Sequence, residues 1–437
     1  MIFRSDRVAA HWDTWVYKHL DTYYLYYLIT ERGPGEGFGV ATSKDGVHWQ
    51  DHGWALRQSA ENSHYLGTGA VWKAADFDDS GRFICNYSEH RRDANGRNIQ
   101  NILFAWSTDL LCWTKFGADT MFRIDPEQYD PFGRWDCIFA FPRPEGGYWG
   151  TWTATGKQTQ GIVGIGYSED GLQWTALPPA VVDPPVEESG AIYPVGNRYW
   201  GMFGVDGAMR SYQAEEPTGP YLPPAKNAVF LRSGHTYFSR FLPTQGELLV
   251  NHHCISGVHL GAPANCPITY VAPFKLAQVD EEGVMRWYYW RGNEALKAAP
   301  ISSESGELDF KTGVVIEGDV ILPQIGQRPL SVRFAVGDRH YVLRVLPAGV
   351  LQMGVTDPSG SNWSTALQVD RECRLGATVL LRILARAGMM EVYLDEHFME
   401  CWTMGCHAAK TVAISCDDSR LTNLRMWQMS LEPAGAP

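Results

Sequence analysis

Ser43-Lys44-Asp45-Gly46-Val47-His48-Trp49 returns twice along the chain, as Ser107-Thr108-Asp109-Leu110-Leu111-Cys112-Trp113 and as Ser168-Glu169-Asp170-Gly171-Leu172-Gln173-Trp174. All three copies read S-x-D-x-x-x-W. An Asp-Gly pair makes a tight hairpin turn, and the tryptophan packs from the strand that follows. The serines lie 64 and 61 residues apart. That interval is longer than the roughly 40–50 residues of common propeller repeats but suits four-stranded blades with long inner loops. A weaker fourth copy is expected over Ser211 to Tyr221, with Gly219-Pro220-Tyr221 at its turn. Five such units would occupy about 300 residues and reach Trp290. Helical periodicity is almost absent, so the reading is an all-β chain that begins as a five-bladed β-propeller.

A second repeated signal is carried by three acids. Asp13 opens Asp13-Thr14-Trp15-Val16-Tyr17, Asp136 opens Asp136-Cys137-Ile138-Phe139-Ala140-Phe141, and Glu188 opens Glu188-Ser189-Gly190-Ala191-Ile192-Tyr193. Each reads as an acid, a short strand, a tight turn and a second aromatic strand. Acids at one place in successive repeats can converge on one axis. Three carboxylates around one pocket suit glycosyl transfer to water, which needs a nucleophile or base, a proton donor and a group that orients the sugar.

Beyond Trp290-Arg291-Gly292-Asn293 the texture changes. The segment 298–307, rich in Ser and Glu and carrying Pro300, reads as a linker between a propeller domain over 1–297 and a second domain over 308–437. The second domain shows short strands with period-two alternation, among them Leu330-Ser331-Val332-Arg333-Phe334, Tyr341-Val342-Leu343-Arg344-Val345 and Met390-Glu391-Val392-Tyr393-Leu394. With no βαβ spacing, it is expected to be a C-terminal β-sandwich.

Bulk composition narrows the function. The 437 residues are 45% hydrophobic and 20% charged, as in a folded globular protein, and the aromatic share of 13% includes 17 Trp and 20 Tyr. Aromatic faces fit β-strands and also stack on sugar rings. The net charge of −12, without a Lys/Arg cluster, argues against nucleic-acid or anionic-membrane partners. The first ten residues show no apolar signal-peptide core, and no apolar run reaches the roughly 18 residues of a membrane helix. The nine cysteines are odd in number, scattered and without C-x-x-C spacing. Free thiols in a cytoplasmic protein are therefore expected, with no metal site and no cofactor.

The layout resembles the clan of glycoside hydrolase families 32, 43 and 68, and family 32 most. Asp13-Thr14-Trp15-Val16 is similar to the first family-32 motif, Asp-Pro-Asn-Gly, without its Asn. Gly67-Thr68-Gly69-Ala70-Val71-Trp72 resembles Ser-Gly-Ser-Ala. Trp135-Asp136-Cys137 stands at Arg-Asp-Pro, with the arginine one place back at Arg134 and the proline lost. Glu188-Ser189-Gly190 resembles Glu-Cys or Glu-Gly-Pro, and Met390 to Asp395 resembles a strand of the family-32 sandwich. The resemblance implies Asp13 as nucleophile or base, Glu188 as proton donor and Asp136 as the acid that binds sugar hydroxyls.

Glu187 competes with Glu188, because strand alternation turns only one neighbour inward. Trp12, Trp15, Trp72, Trp135 and Arg134 are candidate sugar contacts by their nearness to the acids, and His235 is a candidate on the axis. The expected substrate is an oligosaccharide or small glycoside, cleaved at a terminal furanoside by a retaining, β-fructofuranosidase-like mechanism. The alternatives are an inverting family-43-like or family-117-like hydrolase of arabinosides, xylosides or anhydro-galactosides, and a non-catalytic carbohydrate-binding propeller.

Overall fold

The computed structural model describes residues 2–432 apart from 8–9, 31–35, 60–64, 158–161, 233–235, 257–267, 303–307, 337–338, 358, 360–361, 370, 372, 404–412 and 417–419. Antiparallel sheets form five blades. Blade 1 runs Ala10–His19, Thr22–Thr30, Gly37–Ser43 and Gln50–Arg57. Blade 2 runs Tyr65–Lys73, Phe83–Arg92, Asn98–Ser107 and Thr114–Lys115. Blade 3 runs Trp135–Pro142, Tyr148–Ala154, Ile162–Ser168 and Thr175–Ala176. Blade 4 runs Glu188–Val195, Arg198–Val205, Ala208–Ala214 and Val229–Leu231. Blade 5 is built on Thr236–Pro243, Leu248–Ser256, Lys275–Val279 and Met285–Tyr289. The first strand of each blade neighbours the first strand of the next, and the fifth returns to the first, so these five strands surround the axis. The ring is tied by the N-terminal residues, where the Ile2 N–H donates to the Val271 carbonyl and the Val271 N–H to the Phe3 carbonyl, both at 2.9 Å.

The S-x-D-x-x-x-W repeats sit at the turn between third and fourth strands. In each, the serine hydroxyl accepts the backbone N–H three residues on, at 2.8 Å for Gly46, 2.9 Å for Leu110 and 2.8 Å for Gly171. The aspartate carboxylate then accepts the next two N–H groups. The third residue after each serine is left-handed, with φ of 77° at Gly46, 63° at Leu110 and 79° at Gly171. Leu110 bears that conformation while buried, its carbonyl accepting the Tyr26 hydroxyl at 2.8 Å. The weaker fourth copy does not hold. Ser211 lies inside the strand Ala208–Ala214, so its side chain cannot close the turn.

Every inner strand carries a β-bulge at the same height. The pairing register slips between Trp12 and Trp15, Thr68 and Val71, Asp136 and Phe139, Ser189 and Ala191, and Tyr237 and Arg240. A bulge leaves backbone groups out of the ladder, and buried orphans are costly. Here side chains from second strands take their place. Asn86 accepts the Ile138 N–H at 2.7 Å and donates to the carbonyls of Ile138 (2.8 Å) and Ala70 (3.2 Å). Thr153 accepts the Ser189 N–H at 2.9 Å, and Asn251 donates to the Thr14 carbonyl at 3.1 Å. These bonds join blade 2 to 3, 3 to 4 and 5 to 1.

The C-terminal part is a β-sandwich. One sheet holds His397–Thr403, Met389–Leu394, Thr378–Arg386, Val314–Ile321, Leu421–Met429 and Lys297–Ile301, and it continues from blade 5 through Tyr288 and His397. The other holds Ser364–Val369, Leu351–Thr356, Arg339–Val345, Leu330–Val336 and Ala413–Cys416. Ile316, Phe334, Leu343, Ile383 and Val392 fill the space between. The linker expected over 298–307 begins instead as strand, since Pro300 and Ile301 pair with Trp427 and Met426. That strand is at the sheet edge, where proline is tolerated. Fully buried Lys275 of blade 5 pairs with Glu391 of the sandwich and lies 2.7 Å from His252 Nε2 and the Pro273 carbonyl.

Removal of the Asn86 side chain orphans the Ile138 N–H and takes the donor from two buried carbonyls. Asn86→Ala is expected to destabilise by about 2–4 kcal/mol, read as a lower denaturation midpoint. It should also depress activity, because Ile138 is two residues from Asp136.

Candidate active site

The five bulges enclose one cavity of about 190 Å³, lined by Asp13, Gly67, Arg134, Asp136, Cys137, Thr153, Glu188, Ser189, Tyr237, Phe238 and Arg240. Every blade contributes, so the cavity lies on the propeller axis. Asp136 and Glu188 hold equivalent positions: each is three residues before the residue where register resumes, and they pair with Thr153 and Gly204 of their second strands. Asp13 is one residue later in register than these two. It is the bulged residue itself, with φ 39°, as are Cys137 (38°) and Phe238 (57°). The expectation of one shared place thus holds for two acids and is corrected by one residue for the third. The bulge supplies the turn that brings Asp13 to the same cavity.

Arg134 organises the acids. Its guanidinium reaches Asp136 Oδ2 at 3.0 Å and forms a close ion pair with Glu188 Oε1. Asp136 also accepts the Ser88 hydroxyl at 2.5 Å and the Cys137 thiol at 3.2 Å. Burial works to raise the Asp136 carboxyl, but Arg134, His90 and the Ser88 bond hold it down to about 2. Burial raises Glu188, with Arg134 opposing. Among the described residues Asp13 has no such partner. Burial and then repulsion from Glu188 push it up to about 7. The site therefore holds one firmly ionised carboxylate, Asp136, and two, Asp13 and Glu188, that burial shifts toward the protonated form.

Glu187 is exposed and accepts the Asp206 N–H at 3.2 Å, away from the cavity. Gly67 is required by close approach: a Cβ there would lie 2.4 Å from the Ser88 hydroxyl and 2.7 Å from Asp136 Oδ1.

Three tryptophans expected beside the sugar are core residues. Trp15 stacks on Tyr26 at 5.1 Å, facing away from Asp13. Trp72 packs between blades against Phe104, Tyr148 and Trp174. Trp135 is fully buried against Trp152 and Tyr129, its indole N–H donating to Phe122. Strand alternation explains Trp135, since its neighbour Asp136 points inward. The Trp12 side chain and His235 lie outside the described residues.

Arg134 is in the site as expected. Arg240, Tyr237, Thr153 and Cys137 were not anticipated. A charged residue inside Tyr237-Phe238-Ser239-Arg240-Phe241-Leu242 was the available signal for Arg240.

A cavity with three carboxylates on a propeller axis is an arrangement that suits glycosyl transfer to water. Residues 13–184 match the family model described as glycosyl hydrolases family 32 N-terminal domain, which bears out the resemblance to that clan and the reading as a glycoside hydrolase. Among curated proteins none matches. The solved structure of sucrose-6-phosphate hydrolase from Lactobacillus gasseri superposes with a TM-score of 0.75 at 13% identity, covering 96% of this chain and 91% of that one. The GH32 beta-fructofuranosidase of Bombyx mori gives 0.75 at 13% identity, covering 98% and 94%. Fructan 1-exohydrolase IIa from Cichorium intybus gives 0.67 at 13% identity, covering 98% and 96%. At this identity the likeness establishes the shared propeller-and-sandwich fold.

The raised Asp13 carboxyl carries a stability consequence. Its folded pKa exceeds the unfolded value, so the folded state holds the proton more tightly and loses stability as pH rises from about 4 through 7. Asp13→Asn is expected to unfold at a higher midpoint than wild type at pH 8. The gain should shrink as pH falls and vanish below about pH 4, as followed by thermal melts across that range.

Proposed function

We propose that this protein is an exo-acting glycoside hydrolase that releases a terminal furanoside, a β-fructofuranoside first, with retention of configuration. The observation that carries the reading is the convergence of Asp13, Asp136 and Glu188 on one axial cavity with Arg134 between two of them. A small pocket on the axis, about 190 Å³, admits one terminal sugar better than the middle of a chain. The family-32 match over residues 13–184 and the fructoside-cleaving activities named for the neighbouring structures support the sugar class.

In this reading Asp13, in no ion pair with a guanidinium among the described residues, attacks the anomeric carbon as carboxylate. Glu188 protonates the leaving oxygen and later takes a proton from the incoming water. Its raised pKa suits a residue that must hold a proton before attack. As the departing sugar takes that proton, Arg134 remains paired with the carboxylate left behind. Asp136, ionised throughout, accepts hydrogen bonds from glycone hydroxyls and keeps Arg134 in place.

The test is hydrolysis of aryl and natural furanosides, with the anomer of the first product read by NMR. Retention supports Asp13 as nucleophile. Inversion would favour the arabinoside-type alternative, and binding without turnover the lectin alternative. Glu188→Gln should lower kcat on natural substrates by about 10²–10⁴. The loss should be far smaller with an aryl leaving group that departs without protonation. Glu187→Gln should stay near wild type on both, and the reverse pattern would move the proton donor by one residue.

A further inference from the structure

Arg240 is a cation that the catalytic scheme leaves unused. It comes from the inner strand of blade 5, is 4% exposed and lines the same cavity as the three carboxylates. Its guanidinium rests on the Phe238 ring at 4.5 Å. Among the described residues its one hydrogen bond is a long one, 3.4 Å from Nη1 to the Gly69 carbonyl, and Nε has no partner. The cavity carboxylates do not supply one. Asp136 and Glu188 are both engaged by Arg134, and none of the three forms an ion pair with Arg240.

A buried guanidinium with unused donors is costly unless something completes it, and a purely packing role would be filled more stably by an apolar chain. Burial correspondingly disfavours its charge, while Cys137, Asp13, Asp136 and Glu188 support it. Nε is buried out of reach, so with Nη1 turned to Gly69 the Nη2 end of the guanidinium is the part left for a ligand. That end offers N–H donors, which suit oxygen acceptors. Three carboxylates in the same wall would repel an acidic sugar, so the matching acceptor is a neutral hydroxyl.

We infer that Arg240 is a substrate-recognising residue, donating from its Nη2 end to a hydroxyl oxygen of the glycone and so selecting sugars that carry an oxygen at that position. The inference rests on the hydrolase reading above and names a contact within the same site. A site built to pair with a hydroxyl rejects an analogue lacking it, because its own donor is then left buried and unpaired.

The experiment measures binding independently of turnover. Aryl β-fructofuranosides, each with one glycone hydroxyl replaced by hydrogen, are titrated calorimetrically into Glu188→Gln protein carrying Arg240, Arg240→Lys or Arg240→Met. Circular dichroism and the thermal midpoint establish folding, and the lysine variant keeps the charge should the methionine variant not fold. One deoxy analogue is expected to bind at least tenfold more weakly than the parent when Arg240 is present. Both variants should bind that analogue and the parent within twofold of each other, since neither presents the Nη2 donor. Undiminished discrimination in the folded variants, or no discrimination by Arg240 itself, overturns the inference. Hydrolysis by wild type is scored separately. Turnover with undiminished discrimination sinks only the role of Arg240, whereas neither binding nor turnover of any furanoside sinks the functional reading as well.

Discussion

The bulge in each inner strand, met in blades 1 to 4 by a polar side chain from a second strand, is the constraint on which the site depends. A regular strand would alternate its side chains and present each acid at a depth set by sequence parity alone. The extra residue re-aims the chain toward the axis, and the backbone groups it frees are met by Asn86, Thr153 and Asn251. Those same bonds cross between blades. The geometry that points the carboxylates inward is therefore also what closes the ring, so stability and catalytic alignment share residues.

Within that frame, electrostatics separates three similar acids. Asp136 sits in a network of Arg134, Ser88 and Cys137 and is fixed as an anion. Glu188 shares the same arginine but is raised by burial, and Asp13 has burial with, among the described residues, no guanidinium bound to it. Carboxyl groups of one chemistry thus acquire different protonation behaviour from their partners, which is what two-carboxylate sugar chemistry uses. One arginine serving two acids also couples them: a change at either alters the other's environment.

The sandwich is attached through the fifth blade by strand continuation and by a buried charged group. Lys275, His252 and Glu391 lie together with no solvent exposure, and the Tyr393 hydroxyl donates to Glu391 at 2.7 Å. Lysine, imidazole and carboxylate satisfy one another, and burial's tendency to raise Glu391 is overcome by Lys275, which holds it at about 2. Such a cluster contributes orientation more than net stability, because desolvation offsets much of the attraction. The consequence is a defined seat for the sandwich against blade 5.

The repeats at Ser43, Ser107 and Ser168 made the blade count legible, because a serine and an aspartate at fixed spacing can close only a local turn. The acids at Asp136 and Glu188 were legible for the same reason: they precede strands of matched pattern, and the register confirms their equivalence. The tryptophans were not, since nearness in sequence to an inward acid turns a neighbour outward, as Trp135 shows. The edge strand at Lys297–Ile301 was hidden by Pro300, whose tolerance depends on sheet position. Arg240 lies more than 50 residues beyond Glu188, and nothing local reveals that the two share a cavity. By itself the sequence determined the repeating turns, the all-β class and which carboxylates stood at inner strands, because these follow from contacts a few residues apart. Only the tertiary structure decided which side chains face the axis and which partners set their charge, because bulge register and the closing of five blades are long-range properties.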